Sequence, residues 1–349
     1  MRRTLILGCA ALVTVVAAAT AAGGREAHAV RNGKIAFFGG AGAEGIEVVR
    51  PDGSGRRLLV PVGVGACASP PPPRGCGIWG LAWSPDGTRL AYLRGNPNVD
   101  VSLFVIDAAG RDEKRISGCG TPWPTCGTDL LSWSPDGSRI VVSRADGLYV
   151  LSTTGRGARR LTGGSEGVEP TWSPDGKHIA FVREALYTVR PDGSGLKRVP
   201  RTAGAILPAW SPDGRTLAFA RGDEVDSVRL DGSHLRVVKV VPQEADSLSW
   251  APDGARLLYG NTPGHSGAFS GEVWTVGSGG TAARRLFRQA PLVDYSPTAI
   301  WSPDGKQVAI SAAGGFYVVG RDGTHLRRIA SGTIASGPIG PELAWQPVR

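Results

Sequence analysis

The pentapeptide Trp-Ser-Pro-Asp-Gly begins at Trp83, Trp133, Trp172, Trp210 and Trp301, and Trp-Ala-Pro-Asp-Gly begins at Trp250. Successive tryptophans lie 50, 39, 38, 40 and 51 residues apart, so one structural unit recurs along the chain. A chain of this kind buries its apolar surface by stacking copies of the unit rather than around a single core. Trp345, in Leu-Ala-Trp-Gln-Pro, opens a further copy that the C-terminus cuts short. At the other end, Asn32-Gly33-Lys34-Ile35-Ala36-Phe37 reads as the same unit without its Trp-Ser-Pro.

Apolar residues stand seven and nine positions after each tryptophan: Leu90 and Tyr92, Ile140 and Val142, Ile179 and Phe181, Leu217 and Phe219, Leu257 and Tyr259, Val308 and Ile310. This period of two predicts a half-buried strand. A short aliphatic run follows, from Ile46-Glu47-Val48 to Phe316-Tyr317-Val318, and then a basic-aliphatic pair, from Arg57-Leu58 to Arg328-Ile329. Each unit is therefore four strands: A ends in the tryptophan, B carries the alternating pair, and C and D follow. In Ser-Pro-Asp-Gly the proline presets φ, the aspartate accepts from nearby amides, and the glycine takes the left-handed conformation, giving a tight A-to-B turn. The expected fold is all-β: a seven-bladed β-propeller of four-stranded antiparallel blades, closed by pairing of the N- and C-terminal strands. The last A strand, around Leu343 to Gln346, would complete the first blade. The tryptophan is expected to wedge between neighbouring blades.

These repeats resemble the Pro-Asp type of WD-like repeat in TolB-like β-propellers, including periplasmic TolB and the propellers of prolyl oligopeptidase relatives. The likeness covers nearly everything after residue 30 and implies a binding propeller. TolB carries an α/β domain ahead of a propeller usually described as six-bladed, and oligopeptidases carry a hydrolase domain. Neither addition has residues left for it here.

Met1-Arg2-Arg3, the apolar stretch Leu5 to Ala22 and Ala27-His28-Ala29 together read as a secretory signal peptide over residues 1–29, leaving 30–349 as one propeller domain. Export to a periplasmic or extracellular, envelope-associated location is expected, with no integral membrane domain after cleavage; a retained leader would instead act as an anchor. Cys67, Cys76, Cys119 and Cys126 remain after the leader. An even number suits an oxidising compartment, and local pairs Cys67 with Cys76 and Cys119 with Cys126 are expected. A four-cysteine metal site is the rival. The net charge of +9 becomes +7 once Arg2, Arg3, Arg25 and Glu26 leave. Its basic residues repeat along strand D, once or twice per blade, where they would guard exposed sheet edges. No nucleic-acid partner is expected, and the chain should be a monomer.

Because strands alternate direction, the A-to-B and C-to-D turns share one face. The other receives every insertion, including Pro61 to Trp79, Gly95 to Asp100, Cys119 to Asp129, Asn261 to Gly271 and Gln289 to Ser296. Binding is expected on that loop-rich face. If strand A is innermost, Trp79, Asp129, Glu169, Asp246 and Glu342 stand at the mouth of the central channel. Their carboxylates would suit a hard cation such as Ca²⁺ or a cationic ligand group, or would simply be solvated or cap backbone amides at loop ends. No other cofactor is expected. His265 is the one histidine of the mature chain expected on this face. The expected function is a non-catalytic binding or scaffold module for a peptide, protein or envelope polysaccharide. The rival is a secreted lyase or hydrolase of an extracellular polymer, using Asp129, Glu169, Asp246 and His265.

Overall fold

A computed structural model describes residues 30–39, 45–61, 77–96, 100–118, 126–144, 146–163, 168–241, 245–261, 271–289, 297–312, 314–331 and 343–348. All its regular elements are strands, arranged as seven four-stranded antiparallel sheets. In blade 1, β1 (Arg31–Gly39), β2 (Gly45–Val49) and β3 (Arg57–Pro61) are joined by the last strand, β28 (Leu343–Val348). Blade 2 holds β4 (Gly77–Trp83), β5 (Arg89–Asn96), β6 (Asp100–Asp107) and β7 (Lys114–Gly118). Blade 3 follows with β8 (Cys126–Trp133), β9 (Arg139–Arg144), β10 (Gly147–Ser152) and β11 (Ala158–Arg160). The fourth comprises β12 (Val168–Trp172), β13 (Ile179–Val182), β14 (Leu186–Val189) and β15 (Lys197–Arg198). Next come β16 (Ile206–Trp210), β17 (Thr216–Arg221), β18 (Glu224–Arg229) and β19 (Arg236–Val240) in blade 5. Blade 6 is β20 (Ala245–Trp250), β21 (Arg256–Asn261), β22 (Glu272–Gly277) and β23 (Arg284–Arg288), and blade 7 is β24 (Thr298–Trp301), β25 (Gln307–Ala312), β26 (Gly315–Gly320) and β27 (Arg327–Ala330). The expected seven blades, their four strands and the joining of the chain ends are all present.

Each A strand touches the A strand of the next blade, and β28 touches β4, so the seven form an unbroken inner ring around the channel. Apolar clusters lie between blades rather than inside them. Leu207, Ala218 and Val238 of blade 5, for example, pack with Trp250, Leu257 and Tyr259 of blade 6. Trp133 joins blade 3 to blade 2, and Trp345 joins blade 1 to blade 7. All seven repeat tryptophans are at most 6% exposed. An indole of this size buried against its neighbour contributes roughly 4–6 kcal/mol from area alone, an upper figure. Three also bond across the interface: Trp133, Trp210 and Trp250 donate Nε1–H to the carbonyls of Ala82, Thr171 and Ala209, at 3.0, 3.2 and 3.1 Å. Each acceptor immediately precedes the tryptophan of the blade before.

The turn motif uses every residue. In blade 2 the Gly87 amide donates to the Ser84 carbonyl at 2.8 Å, and Ser84 Oγ donates to Asp86 while accepting from the Arg89 amide at 3.0 Å. Asp86 Oδ1 also accepts from the Thr88 amide at 3.1 Å. Gly87 has φ +70°, and a Cβ there would sit 1.7 Å from the Pro347 carbonyl oxygen of blade 1, so only glycine fits.

Blade 1 rebuilds this turn from the two chain ends. Ile35 pairs with Trp345 and Phe37 with Leu343. Gln346 stands where five of the other six blades have serine: its Oε1 accepts from the Lys34 amide at 3.0 Å and its Nε2 donates to the Gly87 carbonyl at 2.7 Å. Asn32 Oδ1 accepts from the Asp304 amide of blade 7 at 3.3 Å. Gln346 thus latches the closing strand to β1 and to blade 2 together.

The strand D cations do more than the expected guarding of edges. Arg57, Lys114, Arg236, Arg284 and Arg327 each donate to a carbonyl in the C-to-D turn of the following blade, at Ala108, Thr154, Ser278, Asp322 and Pro51 respectively. They bind the outer rim as the tryptophans bind the inside.

Two outcomes follow. Gln346→Ala should lower stability by about 1–3 kcal/mol, since two backbone groups lose their partner, and removal of 343–349 should abolish a single cooperative thermal transition; calorimetry reads both. Burial alone would push the Asp86, Asp136, Asp175 and Asp213 carboxyls up, but hydrogen bonds from the turn serines and amides hold all four below the ordinary range. The exposed Asp52, Asp192, Asp231 and Asp322 are lowered by their Ser or Thr hydroxyls. Depressed carboxyls stabilise the fold above the unfolded value of about 3.9 and lose that contribution as pH falls through their folded values. The thermal midpoint should therefore hold level above about pH 5 and drop below about pH 4. Buried Asp226 runs the other way, raised by desolvation although Arg221 pulls it down, so its charge weakens the fold as pH rises.

Candidate functional site

The inner ring places the sequence-predicted residues. Trp79, Asp129, Glu169 and Asp246 lie near the starts of β4, β8, β12 and β20, at the channel end on the loop-rich face. The side chains of Trp79 and Asp129, and Glu342, His265, Cys67, Cys76 and Cys119 entirely, lie outside the described residues, as do the signal segment and the loop insertions. Cys126 opens β8, but its side chain too falls outside them. Asp246 is half-buried. Among the described residues no group of three or more metal-ligating side chains gathers.

Glu169 is best defined. The ladder between β12 and β13 shifts register between Val168 and Thr171, and that between β16 and β17 shifts between Ile206 and Ala209. Within these bulges Glu169 and Leu207 take positive φ, +58° and +60°, and Gly80 takes +66° at the matching position of blade 2. A bulge leaves an amide without its ladder partner. The Leu207 amide is satisfied by Glu169 Oε2 from the adjacent blade, at 2.6 Å. Glu169 is thus an inter-blade cap at the channel mouth, with a backbone conformation costing about 1–3 kcal/mol that surrounding packing sustains.

A second feature escaped the sequence reading. Eleven residues after the tryptophan, four consecutive blades carry arginine: Arg94, Arg144, Arg183 and Arg221. All stand where strand B reaches the loop-rich face, and each guanidinium lies over an aromatic ring. Arg94 is 4.0 Å from the Phe104 centroid, Arg144 4.5 Å from Tyr149, Arg183 5.5 Å from Tyr187 and Arg221 5.7 Å from Phe219. Polar tethers fix them further. Arg94 forks onto Glu113 at 2.9 and 2.8 Å, Arg144 donates to Ser117 Oγ at 2.6 Å, Arg183 donates to the Gly163 carbonyl at 3.3 Å, and Arg221 pairs with Asp226. Burial lowers the Arg144 pKa, and the Asp146 carboxylate hydrogen-bonded to Tyr149 raises that phenol. Blade 6 breaks the series with Asn261, whose buried amide atoms have no hydrogen-bond partner among the described residues. A fixed spacing of one cation per repeat was the signal that could have revealed the arc.

Such a ring of Trp-anchored blades, closed across its termini, defines a seven-bladed β-propeller. The chain belongs to the TolB beta propeller domain family, whose profile matches residues 78–294. No curated protein matches it. Among solved structures it is similar to TolB from Acinetobacter baumannii, with TM-score 0.54 and 17% identity over 76% of this chain; the match spans only 65% of that TolB chain. It is also similar to an oligogalacturonate lyase in complex with manganese, with TM-score 0.63 and 13% identity, covering 88% of this chain and 86% of the lyase. A chain of a nidogen/laminin complex matches with TM-score 0.51 and 12% identity, over 74% of this chain and 93% of that one. Identities this low establish the shared fold alone.

Glu169→Gln retains an acceptor for the Leu207 amide, so it should keep stability within about 1 kcal/mol, whereas Glu169→Ala should lose about 1–3 kcal/mol by orphaning that amide. Denaturant unfolding of the two variants separates capping from charge.

Proposed function

We propose that this propeller is an exported, non-catalytic binding module that takes a peptide, protein or envelope polymer on its loop-rich face. The observation that carries the reading is the arc of four guanidiniums, held in one position of four successive blades on the face from which the variable connections emerge. Preorganised cations lose little freedom on binding, and a repeat spacing suits an extended ligand that contacts several blades. Carboxylates at the A-strand starts add the opposite sign inside that arc, where Ca²⁺ or a cationic ligand group would bind. Residues 1–29 would direct export, and disulfides Cys67–Cys76 and Cys119–Cys126 would restrain the loops of blades 2 and 3. The partner would be captured by a monomer.

The lyase-like fold gives a second reading, cleavage of an acidic polymer at the channel mouth. Oxidised residues 30–349 should capture a specific partner from extracts of the native envelope, with or without Ca²⁺. Asp129→Asn, Glu169→Gln and Asp246→Asn combined should weaken that capture at least about tenfold while the thermal midpoint stays near that of the parent. Capture unchanged by the triple substitution would remove the channel mouth from the site. Shortening of a captured polysaccharide would instead put the enzyme reading first.

A further inference from the structure

The face of tight turns holds a cleft of about 430 Å³ between blades 3 and 4, lined by Arg139, Arg159 and Arg190 together with Gly157, Pro191 and Asp192. Its volume falls within the range of small-ligand sites. Its lining differs in particular residues from the neighbouring junction of blades 2 and 3.

At the junction of blades 2 and 3, Arg89 lies over Trp133 at 5.1 Å and reaches into blade 3, donating to Thr153 Oγ1 at 3.2 Å and to the Gly137 carbonyl at 2.8 Å. Arg139 is its counterpart one blade on, lying over Trp172 at 5.0 Å. The residue matching Thr153 is now Pro191, which has no hydroxyl to offer. Arg159 repeats the pattern on the rim. It aligns with Arg57, Lys114, Arg236, Arg284 and Arg327, all of which bond to the following blade's turn. Among the described residues neither the Arg139 nor the Arg159 guanidinium bonds to the following blade: Arg139 lies over Trp172, and Arg159 faces the Asp192 carboxylate. Two cations that bridge blades elsewhere are therefore released into one cleft. Arg190 adds a third, tied only weakly to Ser194 Oγ at 3.5 Å. A Cβ on Gly157 would meet nothing within 4 Å, so backbone as well as guanidinium is open to a ligand.

We propose that this cleft is a binding site for a phosphate group. Three arginines against the single carboxylate of Asp192, kept anionic by the Ser194 hydroxyl and amide, leave an excess of about two positive charges, matching a phosphomonoester at neutral pH. Guanidinium forks fit phosphate oxygens with paired N–H donors. The site is separate from the loop-rich face and does not depend on the function assigned to it.

Isothermal titration of residues 30–349, which contain all seven blades, with inorganic phosphate at low ionic strength should show saturable one-to-one binding. Arg139→Gln and Arg159→Gln should each weaken it by about tenfold. The decisive variant is Pro191→Thr, which leaves the charge unchanged but restores the acceptor that Arg89 has in Thr153. It should draw Arg139 out of the cleft and weaken phosphate binding to a similar extent, with no fall in thermal midpoint. Vesicles of phosphatidylcholine with phosphatidic acid distinguish the source: sedimentation of the parent but not the Arg159→Gln variant identifies a lipid headgroup, and its absence beside phosphate binding identifies a soluble phosphate ester. No phosphate binding by the parent, or binding that Arg139→Gln and Pro191→Thr both leave intact, overturns the proposal.

Discussion

Each repeat tryptophan lies between its own blade and the one before, so no blade possesses a core that it could keep alone. A four-stranded sheet of this size has two faces to cover, and here both are covered by neighbours. Blade stability is consequently a property of interfaces, as in other repeat architectures, except that a ring has no terminal unit. An open ring would expose the clusters at either side of the gap. The chain meets this requirement by dividing blade 1 between its ends, with β28 supplying the tryptophan and β1 supplying Ile35 and Phe37 to the same cluster.

That division explains a departure from the motif. Within one polypeptide turn, serine is long enough to bond the aspartate two residues on and the amide five residues on. Across a break in the chain the acceptor must reach farther, and Gln346 spans to the Lys34 amide while its other end holds Gly87. The same economy appears in the turn glycines: the glycine of each A-to-B turn faces the proline of the preceding blade, or Pro347 for Gly87. Motif residues that look like local turn formers thus also set the contact between blades.

Much of the fold was legible because the motif is local and repeated in register: tryptophan, turn and alternating strand are each encoded within a dozen residues. What the sequence concealed depends on partners without a sequence signature. Strand D cations read as guards of an edge because their acceptors are backbone carbonyls one blade away, at Ala108 or Pro51 for instance. Glu169 was visible as an acidic residue near the channel, with capping one of two readings, but its acceptor role depends on a bulge that turns the Leu207 amide toward it. Leu207 itself, buried with positive φ, follows no residue preference at all. The arginine arc was readable from spacing, yet its aromatic supports come partly from strand C, which varies from Phe104 to Tyr149 to Tyr187.

A propeller that fastens five of its seven blades to the next by a rim cation becomes informative where such a bridge is missing. Near-identical units offer an internal control that single-copy folds lack: Thr153, which accepts from Arg89, is matched at the next turn by Pro191, which has no hydroxyl to accept from Arg139. The loss has a structural cost, because the junction forgoes a bonded arginine on its rim and relies on Trp172 stacking, apolar contacts and the bond from the Trp172 amide to Ser132 Oγ. Packing at that junction still includes fully buried Ile179 and Phe181, so the ring tolerates the loss on its rim. Interfaces anchored deep by tryptophan leave the outer turns free to differ, and departures from the repeat there can produce binding chemistry without weakening closure.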